Sequence, residues 1–380
     1  MPTDLPNPSF PALPSAAGRT RRALPIPPPP PRARSLWSFG GGRVAWAFLL
    51  LALAAALAAA APAAAQTLNA VRERGALVCG VSHGLLGFSS VDDKGNWSGF
   101  DVDLCRALAA AIFDDAGKVK FVPLDATARF AALRSGEIDV LSRNSTWTMS
   151  RETAFGLMFA AVTYYDGQGF LVRKTLNVES ALELEGKSFC LQTGTTGELN
   201  VADYFRANNM TYSAVELAGL DEVLKAYDAG RCDVFATDVS QLHAERLKLT
   251  KPDEHVILPD VISKEPLGPV VRQGDDQWFT IVKWTHFAMV NAEELGVSSK
   301  TIERAMQSEK PEVKRLVGTA GNFGEQAGLT NDWAARIVRQ VGNYGEVFER
   351  NIGTKSPLGI PRGLNHLWTM GGIQYAPPIR

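Results

Sequence analysis

Short apolar runs alternate along this chain with stretches of helical periodicity, and the change of rhythm is sharpest around 138–151. The run Ile138-Asp-Val-Leu ends in Ser-Arg-Asn-Ser-Thr, and Arg151 follows within two turns. Runs of this length, bounded by turn signals, predict buried strands of a helix-covered sheet. Ligands of such sheets sit beyond the carboxyl ends of the strands. Upstream, 76–81 predicts another strand, and the turn residues within 91–97 predict a hairpin. Leu104, Leu108 and Ile112 fall four apart and predict a helix over 99–112, with Asp101 and Asp103 at its positive N-terminal end. A strand over 118–122 and a helix over 126–134 follow, the helix ended by Ser135-Gly136.

The second half repeats this order. A strand over 187–192 leads through Thr193-Gly-Thr-Thr-Gly197 into a helix over 198–207. A further helix over 220–227 carries Leu220, Val223, Leu224 and Tyr227 on one face. The next junction, Gly230-Arg-Cys-Asp233-Val, matches Gly136-Glu-Ile-Asp139-Val at an offset of 94 residues. The match sets Asn144 against Asp238, each at the end of the equivalent strand. Such a duplication predicts an α/β protein of two lobes whose polar strand ends face each other across a cleft, a clamshell with a hinge.

The glycines of 164–169 suit the first crossing between lobes. The return crossing is expected at 264–271, leading into a helix over 276–294. The expected organisation is lobe 1 over 66–165, lobe 2 over 166–264, a return to lobe 1 over 265–300, and a C-terminal helical extension over 301–380 packed on the lobes. Within the extension, 332–350 predicts one helix with Trp333, Ile337, Val341, Tyr344 and Phe348 on its apolar face. The Gly/Pro-rich tail over 353–380 is expected to wrap over a core.

Composition then narrows the class. With 380 residues, 46% hydrophobic and 21% charged, the chain is long enough for two or three cores. Its net charge of -1 suggests no nucleic-acid partner. Residues 1–35 are rich in Pro and Arg. Arg32, Arg34 and Arg43 then precede an uncharged stretch over 44–65 that ends Pro62-Ala-Ala-Ala65. A basic lead, an apolar middle and a small-residue end predict a secretory signal peptide over 1–65 together with its leader. An uncleaved membrane anchor is the rival, because the run is long enough to span. Without 1–65 the chain holds 33 basic against 39 acidic residues, and the mature protein is expected to be a soluble periplasmic monomer. Four cysteines in an exported chain predict two disulfides, in any of three pairings. Metal binding is the weaker reading, since no two cysteines have Cys-x-x-Cys spacing.

The strand ends carry the candidate chemistry. Asn144, Ser145, Thr146 and Thr148 lie at the end of the 138–141 strand, and Arg151 offers a charged planar fork that fits a carboxylate. The loop with Thr195 and Thr196 places hydroxyls and backbone N–H groups at a helix N-terminus, suited to an anion or to an ordinary cap. Asp238, ending a buried strand, requires a cation from the protein or a ligand. A carboxylate site at Arg151 and Thr196 and an ammonium site at Asp238 together describe an α-amino acid. Arg143 favours acidic or amide side chains if it points into the cleft, and is a solvated arginine if it does not.

The segments Gly99-Phe-Asp-Val-Asp-Leu with Leu108-Ala109, Ser135-Gly136-Glu-Ile-Asp139, Thr148-x-x-Arg151 and Gly230-x-x-Asp233 occur in this order. Over about 68–300 the chain thereby resembles the periplasmic solute-binding proteins of polar amino acid ABC transporters, family 3. Val341-Gly-Asn-Tyr-Gly-Glu346 and Pro357-Leu-Gly are similar to general L-amino acid binding proteins of α-proteobacterial type. The resemblance implies a type II clamshell in which Arg151 holds the ligand carboxylate with Thr146 and Thr196. It implies an ammonium held by Asp238 and the backbone near Asn144, an ABC transporter permease as partner, and no cofactor. It sets Leu85 and Ala126 where relatives that bind basic amino acids carry aromatics, which implies a roomier, less selective pocket. It also implies pairing within lobes, Cys79 with Cys105 and Cys190 with Cys232. The rival is an enzyme of the same fold, similar to cyclohexadienyl dehydratase, drawing an acid or base from His83, Asp101 or Asp238. The expected protein is a binder rather than an enzyme.

Overall fold

The computed structural model describes residues 66–380. The expected leader, signal peptide and cleavage site lie outside the described residues. Helix α1 (Gln66–Arg74) leads into β1 (Leu77–Val81), buried at every position as a strand covered on both faces must be. The expected hairpin is the pair β2 (Ser90–Val91) and β3 (Trp97–Ser98). Gly99 then opens α2 (Phe100–Phe113) at φ 132°, and a Cβ there would lie 2.1 Å from the Phe88 carbonyl oxygen, so only glycine fits. Next come β4 (Val119–Pro123), α3 (Arg129–Ser135), β5 (Val140–Leu141), α4 (Met149–Phe155) and β6 (Leu157–Phe159). α3 starts at Arg129 rather than at 126, and Gly136 closes it in the left-handed conformation.

The chain then runs through β7 (Tyr164–Asp166), β8 (Gln168–Arg173), β9 (Ser188–Gln192), α5 (Gly197–Ala207) and β10 (Ser213–Leu217). It continues through α6 (Leu220–Asp228), β11 (Val234–Asp238), α7 (Val239–Arg246) and β12 (His255–Ile257). It returns by β13 (Glu265–Leu267) and β14 (Val270–Arg272) into α8 (Asp276–Glu294).

Two five-stranded sheets result, in the orders β4-β1-β5-β14-β6 and β10-β9-β11-β8-β12. In each, the first three strands are parallel and the last two pairings antiparallel. The lobes are therefore built to one plan, with β14 standing in the first sheet where β8 stands in the second. The repeated Gly-x-x-Asp motif has a shared physical task in that plan. The Asp139 carboxylate accepts the Val78 N–H in β1 at 2.7 Å, and the Asp233 carboxylate accepts the Ser188 N–H in β9 at 2.9 Å. Each aspartate thus ties the start of its own strand to the start of the parallel strand beside it. The two crossings, β7 and β13, pair antiparallel as a separate ribbon. Each lobe also holds one disulfide, Cys79–Cys105 between β1 and α2 and Cys190–Cys232 between β9 and the turn before β11.

The extension comprises α9 (Ile302–Ala305), α10 (Pro311–Val317), α11 (Phe323–Gln326), α12 (Trp333–Gln340) and α13 (Tyr344–Asn351). The single helix expected over 332–350 is thus two. Gly342 adopts φ 101°, which ends α12, and Asn343 caps α13 in a reciprocal capping box with Glu346. The five apolar side chains expected on one face are all buried, in a core shared with Leu104 and Leu108 of α2. Asp103 in the first turn of α2 takes Arg350 and Asn351 of α13 at 2.9 and 2.6 Å. The tail folds back on the start of β7: the Asn365 side chain accepts the Tyr165 N–H at 2.7 Å and donates to the Tyr165 carbonyl at 3.1 Å.

Candidate ligand-binding site

The strand ends of the two lobes meet around a small polar cavity. From lobe 1 it is lined by Arg129, Arg143, Asn144, Thr146 and Arg151, and from lobe 2 by Gln192, Thr195, Thr196, Gly197, Thr237, Asp238 and Gln241. The lobes touch here. Asn144 donates across to Gln241 at 3.3 Å, and Arg129 to the Gly194 carbonyl at 3.3 Å.

Arg151 is placed by α4. The Thr148 hydroxyl caps that helix by accepting the Arg151 N–H, and the guanidinium donates to the Thr146 carbonyl at 2.7 Å. Burial lowers its pKa, opposed by Glu265 and Asp238. Asp238 ends β11 and makes no cap hydrogen bond to α7. Burial, then Asp166 and Glu265, hold its carboxyl well above the usual carboxylate range, against the pull of Arg151 and Arg129. A carboxylate in that setting gains from any cation brought to it. Asn144 sits at φ 29°, and its N–H donates to Asp101 at 2.9 Å, which fixes the turn after β5. Its side-chain oxygen and the Gln241 amide nitrogen are buried without partners, one acceptor and one donor in the cavity wall.

Thr146 and Thr196 take a different role from the one expected. Both hydroxyls donate to Glu265, at 2.5 and 2.8 Å. Each hydroxyl has one proton to give, so what they offer the cavity is lone pairs, which suit an ammonium rather than a carboxylate. Thr195 likewise donates to the Gln192 carbonyl at 2.8 Å, within its own loop. Leu85 is not part of the cavity. It lies in the core of lobe 1 at 1% exposure, in one apolar cluster with residues of α2, and Ala126 is buried too. Arg143 is buried rather than solvated, anchored by Nε to the Leu124 carbonyl at 2.8 Å. Of the residues an enzyme could draw on, His83 is exposed beside Asp125, and Asp101 is engaged with Ser142 and Asn144. Asp238 alone of those three lines the cavity.

Residues 77–301 match the model of the bacterial extracellular solute-binding proteins, family 3. The chain belongs to that family. This family 3 protein is 60% identical, over 83% of its length and 94% of the relative's, to the general L-amino acid-binding periplasmic protein AapJ of Rhizobium johnstonii. It is 53% identical, over 83% of its length and 94% of the relative's, to the glutamate/glutamine/aspartate/asparagine-binding protein BztA of Rhodobacter capsulatus. A solved ABC transporter periplasmic binding protein from Brucella ovis, with glutathione bound, shares 55% identity at a TM-score of 0.82, covering 83% of this chain and 100% of its own.

Sequence reasoning missed Arg129, Gln192, Gln241 and Glu265. Arg129 had a signal of a kind, as the first residue of α3 in a stretch read as helical, but nothing in the pattern tells which way it points. Glu265 stands beside Pro266 in a segment read only as a crossing.

Proposed function

We propose that the protein captures an L-amino acid between its lobes in the periplasm and presents it to the membrane permease of an ABC transporter, without turnover. The observation that carries this reading is the placement of Arg151 and Asp238, from opposite lobes, in one polar cavity. Arg151 supplies a fork for the α-carboxylate. Asp238, with the Asn144 side-chain oxygen and the lone pairs of Thr146 and Thr196, supplies acceptors for the α-ammonium. A ligand held so links both lobes and favours the closed arrangement, which a permease can distinguish from the open one. The names of the relatives agree in kind: both are amino-acid binders.

The test is thermal unfolding of the purified protein, freed of carried ligand, against the twenty L-amino acids. A ligand at 100 times its Kd stabilises by about 2.7 kcal/mol. Shifts with several amino acids are expected, and Arg151→Ala is expected to weaken each by about 30-fold or more. A folded Arg151→Ala protein that binds as before overturns the site assignment. Absence of any shift, with turnover of prephenate or arogenate, would establish the enzyme instead.

A further inference from the structure

The lobes also meet beyond the cavity, along one face of α7. Gln241, Ala244, Glu245 and, just past the helix, Lys248 follow at helical spacing and so share that face. Gln241 accepts from Asn144 of lobe 1 at 3.3 Å, and Ala244 belongs to the apolar core of lobe 1. The Lys248 ammonium donates to the Gly84 carbonyl, in the loop between β1 and β2, at 3.1 Å. Leu220, at the start of α6, packs against the same lobe 1 core. Glu245 is enclosed in this contact at 0% exposure and does not line the cavity. Its Oε1 accepts from Lys248 at 2.8 Å, and its Oε2 is buried without a partner. Burial raises its pKa against the pull of Lys248, and Asp221 beside Leu220 adds a like charge.

The Glu245–Lys248 pair lies within lobe 2, three residues apart, so its attraction needs no second lobe. What closure adds at Glu245 is the loss of water, a cost that a buried ion pair recovers only when its remaining lone pairs are met. The free Oε2 shows that they are not. Lys248 keeps about a third of its side chain in solvent and gains the Gly84 carbonyl. The two neighbours therefore pull in opposite directions. We propose that this face of α7 is a release device, in which Glu245 opposes closure as a carboxylate stripped of water and Lys248 holds the lobes together through Gly84. The ligand is then bound less tightly than its own contacts allow, which suits a protein that has to give its ligand up. Because the device lies outside the cavity, it acts on every ligand alike.

This inference rests on the reading that a bound amino acid closes the lobes, and two measurements separate them. The first is small-angle scattering of the ligand-free protein, in which Glu245→Gln is expected to lower the radius of gyration and Lys248→Met to raise it. The second is calorimetric titration and stopped-flow kinetics with L-glutamate and L-glutamine. Glu245→Gln, checked for an intact melting transition, is expected to tighten both by about tenfold through slower dissociation, with their ratio kept. Lys248→Met is expected to weaken both by a similar factor, since it leaves Glu245 buried without a cation. The double variant, which leaves no charge in the contact, should return towards wild type. Weaker or unchanged binding in a folded Glu245→Gln, or a ratio changed more than about threefold, overturns the inference. If Glu245→Gln does not fold, Lys248→Met decides, and unchanged binding in it overturns the inference. Binding of neither amino acid by wild type overturns the amino acid reading instead and leaves the device to the scattering, where equal radii in all the folded proteins overturn it.

Discussion

At the scale of single residues, buried carboxylates set how this protein responds to pH. Burial pushes the Asp101 carboxyl up from 3.8 to about 6, against the Asn144 N–H, the Ser142 hydroxyl and Arg143. Asp166 is likewise pushed to about 6 by burial, despite hydrogen bonds from Ser240 and Gly167. An acid raised in this way binds its proton more tightly folded than unfolded. The stability it contributes is complete below 3.8 and is lost as pH rises through about 6. For Asp101 alone the ligand-free protein is therefore expected to be more stable at pH 5 than at pH 7 by about 1–2 kcal/mol. Urea unfolding at the two pH values measures this, and Asp101→Asn should flatten the dependence. An unchanged profile in that variant would assign it to other groups. Ligand affinity should run the opposite way, because Asp238 must be ionised to hold an ammonium.

At the scale of elements, the C-terminal extension is fastened to the first crossing. The Tyr344 hydroxyl donates to the Thr163 carbonyl at 2.9 Å, and Asn365 brackets the Tyr165 peptide from both sides. Arg362, paired with Glu293, stacks over Tyr344 and Phe348 and donates to the Asn365 carbonyl at 2.9 Å. Asn365→Ala removes both contacts to Tyr165 and leaves a partly buried N–H without its acceptor, at a cost of about 1–3 kcal/mol. Hydrogen exchange is expected to quicken in β7 and β13 while β9 keeps its protection. An equal rise in every strand would mean that the tail adds only to global stability.

At the scale of the whole described structure, Glu265 links the two lobes. It sits on the return crossing and is 1% exposed. It accepts from Thr146 of lobe 1, from Thr196 and Asn200 of lobe 2, and from Ser263 on its own crossing. Four donors converge there only when the lobes are together, so the network favours the closed arrangement. Glu265→Gln keeps the shape but removes the charge and one acceptor, and two of those hydrogen bonds cannot be kept as they are. Small-angle scattering of the ligand-free variant is expected to show a larger radius of gyration than wild type. An unchanged radius would mean that packing, not this network, holds the lobes together.

Much of this was legible in the sequence, where a rule of local chemistry was at work. Period and turn residues located most strands and helices, because burial on one or both faces imposes its rhythm on the chain. The duplicated Gly-x-x-Asp motif exposed the two-lobe plan, since both copies need the same turn and the same carboxylate on a neighbouring strand. Arg151 and Asp238 stood out because a lone charge at a buried strand end demands a partner. Leu85, expected at the site, lies in the core, and the single helix expected over 332–350 divides into α12 and α13, because apolar periodicity reports burial without saying against what, and it runs unbroken across Gly342. Other facts depended on groups brought together from distant segments: Thr146 and Thr196 spending their protons on Glu265, and Arg129 reaching across to the Gly194 carbonyl. A sequence names its donors and charges. Only the folded chain decides which of them meet, because each partner is set by the packing of segments more than 50 residues apart.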